Sequence, residues 1–215
     1  GARITNIVDR EREEILKGIA ERTVTTLQLP NDVTVIGPNA FASCAQLSSV
    51  TLPDGIWRIS SSVFDYCFNL KLTALPARLK EIGHYAFRNC WSLALTSLPD
   101  SVTIIYDEAF SGCHSLALTS LPAGIKTIGD FAFSQCSRIT LSSMPASVNK
   151  IGKNAFYGCK GLTSLTFEGT PSSIDAYAFA GCTNLTTINV PWAEGDVANA
   201  PWGRSKRNDQ LQRQK

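Results

Sequence analysis

Seven cysteines fall at Cys44, Cys67, Cys90, Cys113, Cys136, Cys159 and Cys182, every step being 23 residues with no slip. Three residues before each stands a phenylalanine: Phe41, Phe64, Phe87, Phe110, Phe133, Phe156 and Phe179. A fixed period of this length means stacked supersecondary units, each covering the apolar edge of the one before. A globule with a single closed core has no reason to keep such a register.

The rest of the unit follows the same register. An isoleucine precedes each phenylalanine by five residues, from Ile36 to Ile174. Three residues after each cysteine comes Leu47, Leu70, Leu93, Leu116, Ile139, Leu162 or Leu185. The unit reads I-G-x-x-A-F-x-x-C-x-x-L-x-x-V-x-L-P. Its last part, as in Leu47-x-x-Val50-x-Leu52, carries the L-x-x-L-x-L signature of a leucine-rich repeat. Alternation turns Val50 and Leu52 inward on a short strand, and the proline after it ends the strand. Gly37, Gly83, Gly129 and Gly152 after the isoleucine suit a turn that needs a permissive backbone. Ala40, Phe41 and Cys44 fall at i, i+1 and i+4, which predicts one short helical turn facing the core.

The expected fold is therefore an α/β solenoid, a right-handed leucine-rich-repeat superhelix. A short parallel sheet lines its concave side and short helical turns its convex side. At the usual strand spacing seven coils stack to roughly 35 Å. The phenylalanines and cysteines form its structural ladder, and Phe110→Ala should cost about 3–5 kcal/mol through packing alone.

Three segments follow from the pattern. Residues 1–23 lack the phenylalanine and cysteine and are expected to form an N-terminal capping helix over Thr5–Ala20, with Ile7, Val8, Ile15, Leu16 and Ile19 on one side. No continuous apolar run marks a signal peptide there. Residues 24–191 form the solenoid of seven 23-residue units with a leading half unit. Residues 192–215 are expected to form a C-terminal cap and a basic tail. In the cap, Trp192 and Trp202 cover the last coil and bracket a short helical Ala193–Ala200. The tail holds Arg204, Lys206, Arg207, Asp209, Arg213 and Lys215 and reads as mobile.

The unit, seen clearly at Ile36–Pro53 and carried on through Cys182, resembles the BspA-like class of bacterial leucine-rich repeats. The resemblance covers roughly residues 24–191. It implies a surface-exposed or secreted protein that acts by adhesion or protein binding without catalysis. The closing Val190-Pro191-Trp192 with Ala200-Pro201-Trp202-Gly203 is similar to the ends of repeat proteins from gut bacteria and their phages. That leaves a structural part of a phage tail or virion as the alternative. Ser60, Tyr106 and Asp175 depart from the glycine slot and Glu168 from the proline slot.

Composition narrows the chemistry. Twenty lysines and arginines against 18 aspartates and glutamates give a net charge of +2, too little for a nucleic-acid surface. No apolar run is long enough to span a membrane as a helix. The cysteines form no C-x-x-C pair, so no metal and no cofactor is expected. Equivalent thiols in a core are inert, and in-register side chains fit disulfide torsion poorly. The two histidines, His84 and His114, lie 30 residues apart in different slots. No catalytic constellation results, and the chain is read as no enzyme.

Binding residues are sought where repeat slots align into stripes. One residue after each cysteine stand Phe68, Trp91 and His114 in three successive coils, with Trp57 and Tyr66 in the same N-terminal part. Exposed rings suit a protein partner, with carbohydrate stacking as a second use; the alternative is that they pack over the coil edge. A second stripe is Leu72, Leu95, Leu118 and Leu141. Simple alternation exposes it as an apolar patch. In the next slot stand Thr73, Thr96, Thr119 and Ser142, polar wherever the first is apolar. The second reading is therefore one core position filled from either of two residues. The two readings give opposite burial for Leu95 and Thr96.

Overall fold

Ile59, Ile82, Ile105, Ile128, Ile151 and Ile174 are β-branched, preceded by a polar residue in every coil but that of Ile105, and repeated every 23 positions, which suits them to a stacked strand. The computed structural model describes residues 15–16 and 19–204, and the backbone of 210–213. Its strands in chain order are β1 (Ile15–Leu16), β2 (Thr26–Gln28), β3 (Val35–Ile36), β4 (Ser49–Thr51), β5 (Arg58–Ile59), β6 (Glu81–Ile82) and β7 (Ile104–Ile105). There follow β8 (Thr127–Ile128), β9 (Ser143–Met144), β10 (Lys150–Ile151), β11 (Ser164–Phe167), β12 (Ser173–Ile174), β13 (Thr187–Val190) and β14 (Gln210–Arg213). The isoleucine strands build one eight-stranded sheet, β1-β3-β5-β6-β7-β8-β10-β12. Each pairing is parallel and in slot register, as in Ile82↔Ile105. This continuous sheet lies where the sequence reading places only the approach to a turn.

The winding begins earlier than expected. Leu16 pairs with Ile36, and its carbonyl accepts the Gly37 amide at 2.8 Å. Ile15–Leu16 is thus a strand, not the last turn of a capping helix, and Ile19 is 58% exposed. The bonds offered by the next coil outweigh the helical spacing of the apolar residues. Of the rest of the expected helix, residues 5–14, 17 and 18 lie outside the described residues.

The expected L-x-x-V-x-L sheet is present in two pieces, β2-β4 and β14-β13-β11-β9. Between them three coils carry no strand on this side. They are the coils of Leu72, Leu95 and Leu118, all buried, with Thr73, Thr96 and Thr119 exposed. Inward residues there sit at Leu93, Leu95 and Leu98, whereas β4 has Leu47 and Val50 inward. Spacings of two and then three break the strict alternation a strand requires.

The Phe–Cys side is not helical: among the described residues there is no helix, and the expected convex helical turns are chained β-turns. Tyr85 and Asn89 hold φ of 60° and 58°, a left-handed backbone that interrupts any helix. Alternate amides bond to the next coil: Tyr85 to the Asp107 carbonyl at 3.0 Å, Phe87 to Ala109 at 2.7 Å and Asn89 to Ser111 at 2.8 Å. The intervening Ala86, Arg88 and Cys90 amides close turns onto Gly83, Tyr85 and Phe87. Every amide from Tyr85 to Cys90 is thereby satisfied, as burial demands. Gly83 is needed for close approach rather than for a positive φ, since a Cβ there would stand 2.7 Å from the Ser60 carbonyl carbon.

The core is the ladder itself. Consecutive phenylalanine rings stack with centroids 5.2–5.4 Å apart. At the C-terminal end Trp202 is fully buried, and its carbonyl takes the Phe179 amide at 2.9 Å, the bond a further coil would make. Trp192 meets Phe167 edge-on at 5.2 Å. The segment between the two tryptophans is a run of turns and bends, not the expected short helix. Arg204 is no tail residue: it is buried and donates to the Thr186 carbonyl at 2.8 Å. The strand β14 pairs with β13 from Thr187↔Gln210 to Val190↔Arg213, so this part of the tail is held in the coil register. Lys206, Arg207, Asp209 and Lys215 lie outside the described residues.

Candidate functional site

The slot after each cysteine leaves the core at the end of the chained turns. Its rings are aimed by their neighbours: Ser92 Oγ donates to the Phe68 carbonyl at 2.8 Å, and Ser115 Oγ to the Trp91 carbonyl at 2.6 Å. Asn69 Nδ2 does the same to Ala45 at 2.8 Å. At Asn69, Ser92, Ser115 and Asn184 a small polar residue two after the cysteine thus ties its coil to the one before and leaves the preceding side chain outside.

The structure brings together four of the expected aromatics. Phe68 and Trp91 meet at 4.3 Å between centroids with planes tilted by 43°. His114 follows at 6.5 Å from Trp91, and Tyr66 meets Phe68 edge-on at 5.9 Å. Trp91 remains 49% exposed, Tyr66 37% and Phe68 is half-buried. The rings pack on one another and still present a face to solvent.

Beside them lies a pair that the sequence reading missed. Arg88 Nε and Nη2 donate to Asp65 Oδ1 and Oδ2 at 2.9 and 2.8 Å, a two-pronged fit of guanidinium to carboxylate. The Arg88 Cζ lies 5.0 Å from the Tyr66 ring centre and 4.4 Å from that of Tyr85. Hydrogen bonding to Asp65 favours the charged form of Arg88 and raises its pKa. The signal was available, because Asp65 and Arg88 occupy the same slot, one after the phenylalanine, in successive coils.

Other candidates stand apart. Trp57 makes no ring contact with Phe68 or Trp91 among the described residues; it lines a cleft at the corner leading into β5. Leu72, Leu95, Leu118 and Leu141 are buried and offer no surface, so the exposed-stripe expectation is corrected. The physical cause is the shifted inward spacing of those coils. His84 is removed from His114 and rests 4.9 Å from the Tyr106 ring and 3.9 Å from Asp107 Oδ2.

All seven cysteines are free and buried. Desolvation pushes the Cys113 and Cys182 thiols up to about 12 and the other five upward as well. Protonated thiols in the core supply no nucleophile at neutral pH. Among the described residues no group of three histidine, cysteine, aspartate or glutamate side chains is placed to hold a metal. No helix among them is long and apolar enough to cross a membrane.

Comparison with known proteins agrees with this architecture. The family model described as BspA type leucine rich repeat region matches in six copies over residues 20–140 and 80–196. Among solved structures, a leucine-rich repeat protein from Bacteroides ovatus is similar at 28% identity and a TM-score of 0.64. That similarity covers 82% of this chain and 51% of the other, so the chain spans about half the length of that relative. The leucine-rich repeat protein of T. pallidum is similar at 25% identity and a TM-score of 0.55, covering 87% of this chain and 81% of that one. A search of curated proteins found no match. The repeat register, the stacked coils and the family match together establish that this chain belongs to the BspA-type leucine-rich repeat family.

Proposed function

We propose that this chain is a non-catalytic protein-interaction module, of the adhesion kind, on a bacterial surface or secreted protein. The binding face is the cluster of Tyr66, Phe68, Trp91 and His114 with Arg88 at its edge. The single observation that carries this is Trp91, which packs on Phe68 at 4.3 Å between ring centres and is still 49% exposed. Tryptophan, tyrosine and arginine are the residues that dominate protein interfaces: the two aromatics bury much area at little entropic cost, and arginine offers a planar fork of donors. The surface or secreted setting rests on membership of the family.

The test is Trp91→Ala combined with Phe68→Ala in a chain whose melting and circular dichroism are unchanged. Extracellular proteins of a host and, separately, a virion extract are passed over the immobilised wild type, and each retained chain is purified and titrated against both forms. Loss of binding by about tenfold or more in the double variant supports the site, since hot-spot truncations exceed about 1.4 kcal/mol. A retained partner that binds both forms equally overturns it. Capture of virion chains in place of host proteins moves the chain to the phage-structural reading.

A further inference from the structure

The corner between the Leu-Pro segment and the isoleucine strand holds a cleft lined by Gly55, Trp57, Ala77, Arg78, Lys80 and Ser101. Its volume of about 610 Å³ falls in the range of small-ligand sites. A second hollow of about 400 Å³, lined on Leu29, Asn31, Thr51, Leu52, Pro53 and Asp54, adjoins it through the shared Gly55. The larger one is a groove across the successive coils of Trp57, Lys80 and Ser101.

Its walls are fixed. The Trp57 amide donates to the Thr34 carbonyl at 2.9 Å, and its own carbonyl accepts the Lys80 amide at 2.8 Å. The backbones that carry the indole and the ammonium are thereby held in neighbouring coils at one register. The Ser101 hydroxyl spends its proton on the Ala77 and Leu79 carbonyls and keeps its lone pairs for an incoming hydroxyl.

Two features exceed what the fold requires. Arg78 and Lys80 make no ion pair among the described residues, although Arg88 in the next turn is fully matched by Asp65. Gly55 has no positive φ, and a Cβ there would meet only Thr34 Cγ2 at 3.9 Å. The backbone does not demand this glycine; its missing side chain keeps the groove open. An unmatched guanidinium and ammonium beside an indole recognise an anionic group carried on a ring with an apolar face. Arginine takes a carboxylate or sulfate by two hydrogen bonds, and the indole takes the C–H face of a pyranose. An extended peptide would need free strand edges, and the Trp57 carbonyl and Lys80 amide at this corner are already paired with each other. We propose that the Trp57–Arg78–Lys80 groove is a second binding site, separate from the aromatic cluster, and that its ligand is an acidic oligosaccharide.

The probes are trigalacturonate, a chondroitin sulfate tetrasaccharide, neutral maltotriose and a ten-residue polyglutamate, titrated calorimetrically into the full chain. Binding of either acidic sugar in the range of about 10 µM to 1 mM, at least about tenfold tighter than maltotriose and polyglutamate, is the expected result. A carboxylated or a sulfated preference names the source of the charge, and both support the site. Arg78→Gln and Trp57→Ala should each weaken binding by about tenfold or more, as loss of a two-pronged contact or a stacking face does. Gly55→Gln should block the groove in a chain with unchanged melting, and it remains informative if Trp57→Ala fails to fold. Lys126→Gln combined with Lys150→Gln should leave affinity within about twofold, because unspecific attraction alone would respond to any removed cation. Absence of binding by both acidic sugars, equal binding of maltotriose or polyglutamate, or full affinity in Gly55→Gln would each overturn the proposal.

Discussion

The Cys113 thiol donates a hydrogen bond to the Phe87 carbonyl oxygen, 3.0 Å away in the preceding coil. The same oxygen accepts the Cys90 amide at 3.1 Å, so both its lone pairs are used in the core. The pattern repeats from Cys67 on Phe41 to Cys182 on Phe156, always at 3.0–3.1 Å. Cysteine is thus more than a small apolar filler: it is compact, tolerates burial and still donates. Cys113→Ala should destabilise by about 1–3 kcal/mol, combining one lost hydrogen bond with a small void, while the Cys90 amide keeps the carbonyl from being orphaned. Cys44 reaches only the Glu21 carbonyl at 3.8 Å, so Cys44→Ala should cost less. Urea unfolding of the two variants checks the order, and equal losses would reduce the thiols to space filling.

The same thiols set a pH dependence. Burial raises Cys113 and Cys182 to about 12 from the ordinary 9.0. In the unfolded chain these groups ionise near pH 9, whereas in the fold they stay protonated. The unfolded state therefore releases protons first, and stability falls as pH rises. The contribution is fully present below about pH 9 and is lost progressively between about pH 9 and 12. The urea midpoint should be flat from pH 7 to 8 and drop steeply by pH 10.5. A midpoint unchanged at pH 10.5 would mean that the cysteines reach solvent in the fold.

How much of this is legible in the chain depends on what repeats. The Phe, Cys and Ile positions recur every 23 residues, and the stacked core follows from that register directly. The turns did not, because Ala40, Phe41 and Cys44 satisfy helical spacing equally well. What decides against a helix is the left-handed backbone at Tyr85 and Asn89. Tyr85 itself gives no sign of it, whereas the Asn89 slot did, being filled by Gly112, Gly158 and Gly181 in other coils. The aromatic cluster was readable as Phe68, Trp91 and His114 sharing a slot, whereas Tyr85 joins it only through Arg88. Leu95 could be settled by no one-coil argument, since strand alternation and core filling compete at that position.

Arg88 should be the most sensitive charged residue on the aromatic face. Its partner Asp65 keeps only 10% of its side chain exposed and Arg88 keeps 28%, so solvent screens the pair weakly. Arg88→Ala leaves a buried carboxylate without its cation and removes the support under Tyr66 and Tyr85. A loss of about 2–3 kcal/mol is expected, below the full figure for a wholly buried pair. Arg88→Lys keeps the charge and loses the fork, and should recover less than half of this. Thermal and urea melts of the two variants measure it, and an Arg88→Ala loss within about 0.5 kcal/mol would place the pair among inert surface contacts.

The interrupted sheet offers the sharpest test of how local sequence sets strand formation. Leu72 is buried and Thr73 exposed, yet the coil before it forms β4 with Val50 inward. Leu72→Ala alone should cost about 2–4 kcal/mol by emptying its place in the core. Thr73→Val alone places a methyl on an exposed site and should change stability by no more than about 0.5 kcal/mol. Together they recreate the spacing of the β4 coil, so the second substitution should return about 1 kcal/mol or more of what the first removes, a coupling of neighbours. Rescue should be weaker for Leu95→Ala with Thr96→Val, because that coil lies between two others that lack the strand, whereas the coil of Leu72 can pair with β4. Hydrogen exchange should show new protection at the amides of position 73 and Leu75 in the first double variant. Strict additivity of both pairs, with no gain in protection, would show that the break in the sheet is set by the stack as a whole and not by which residue carries the leucine.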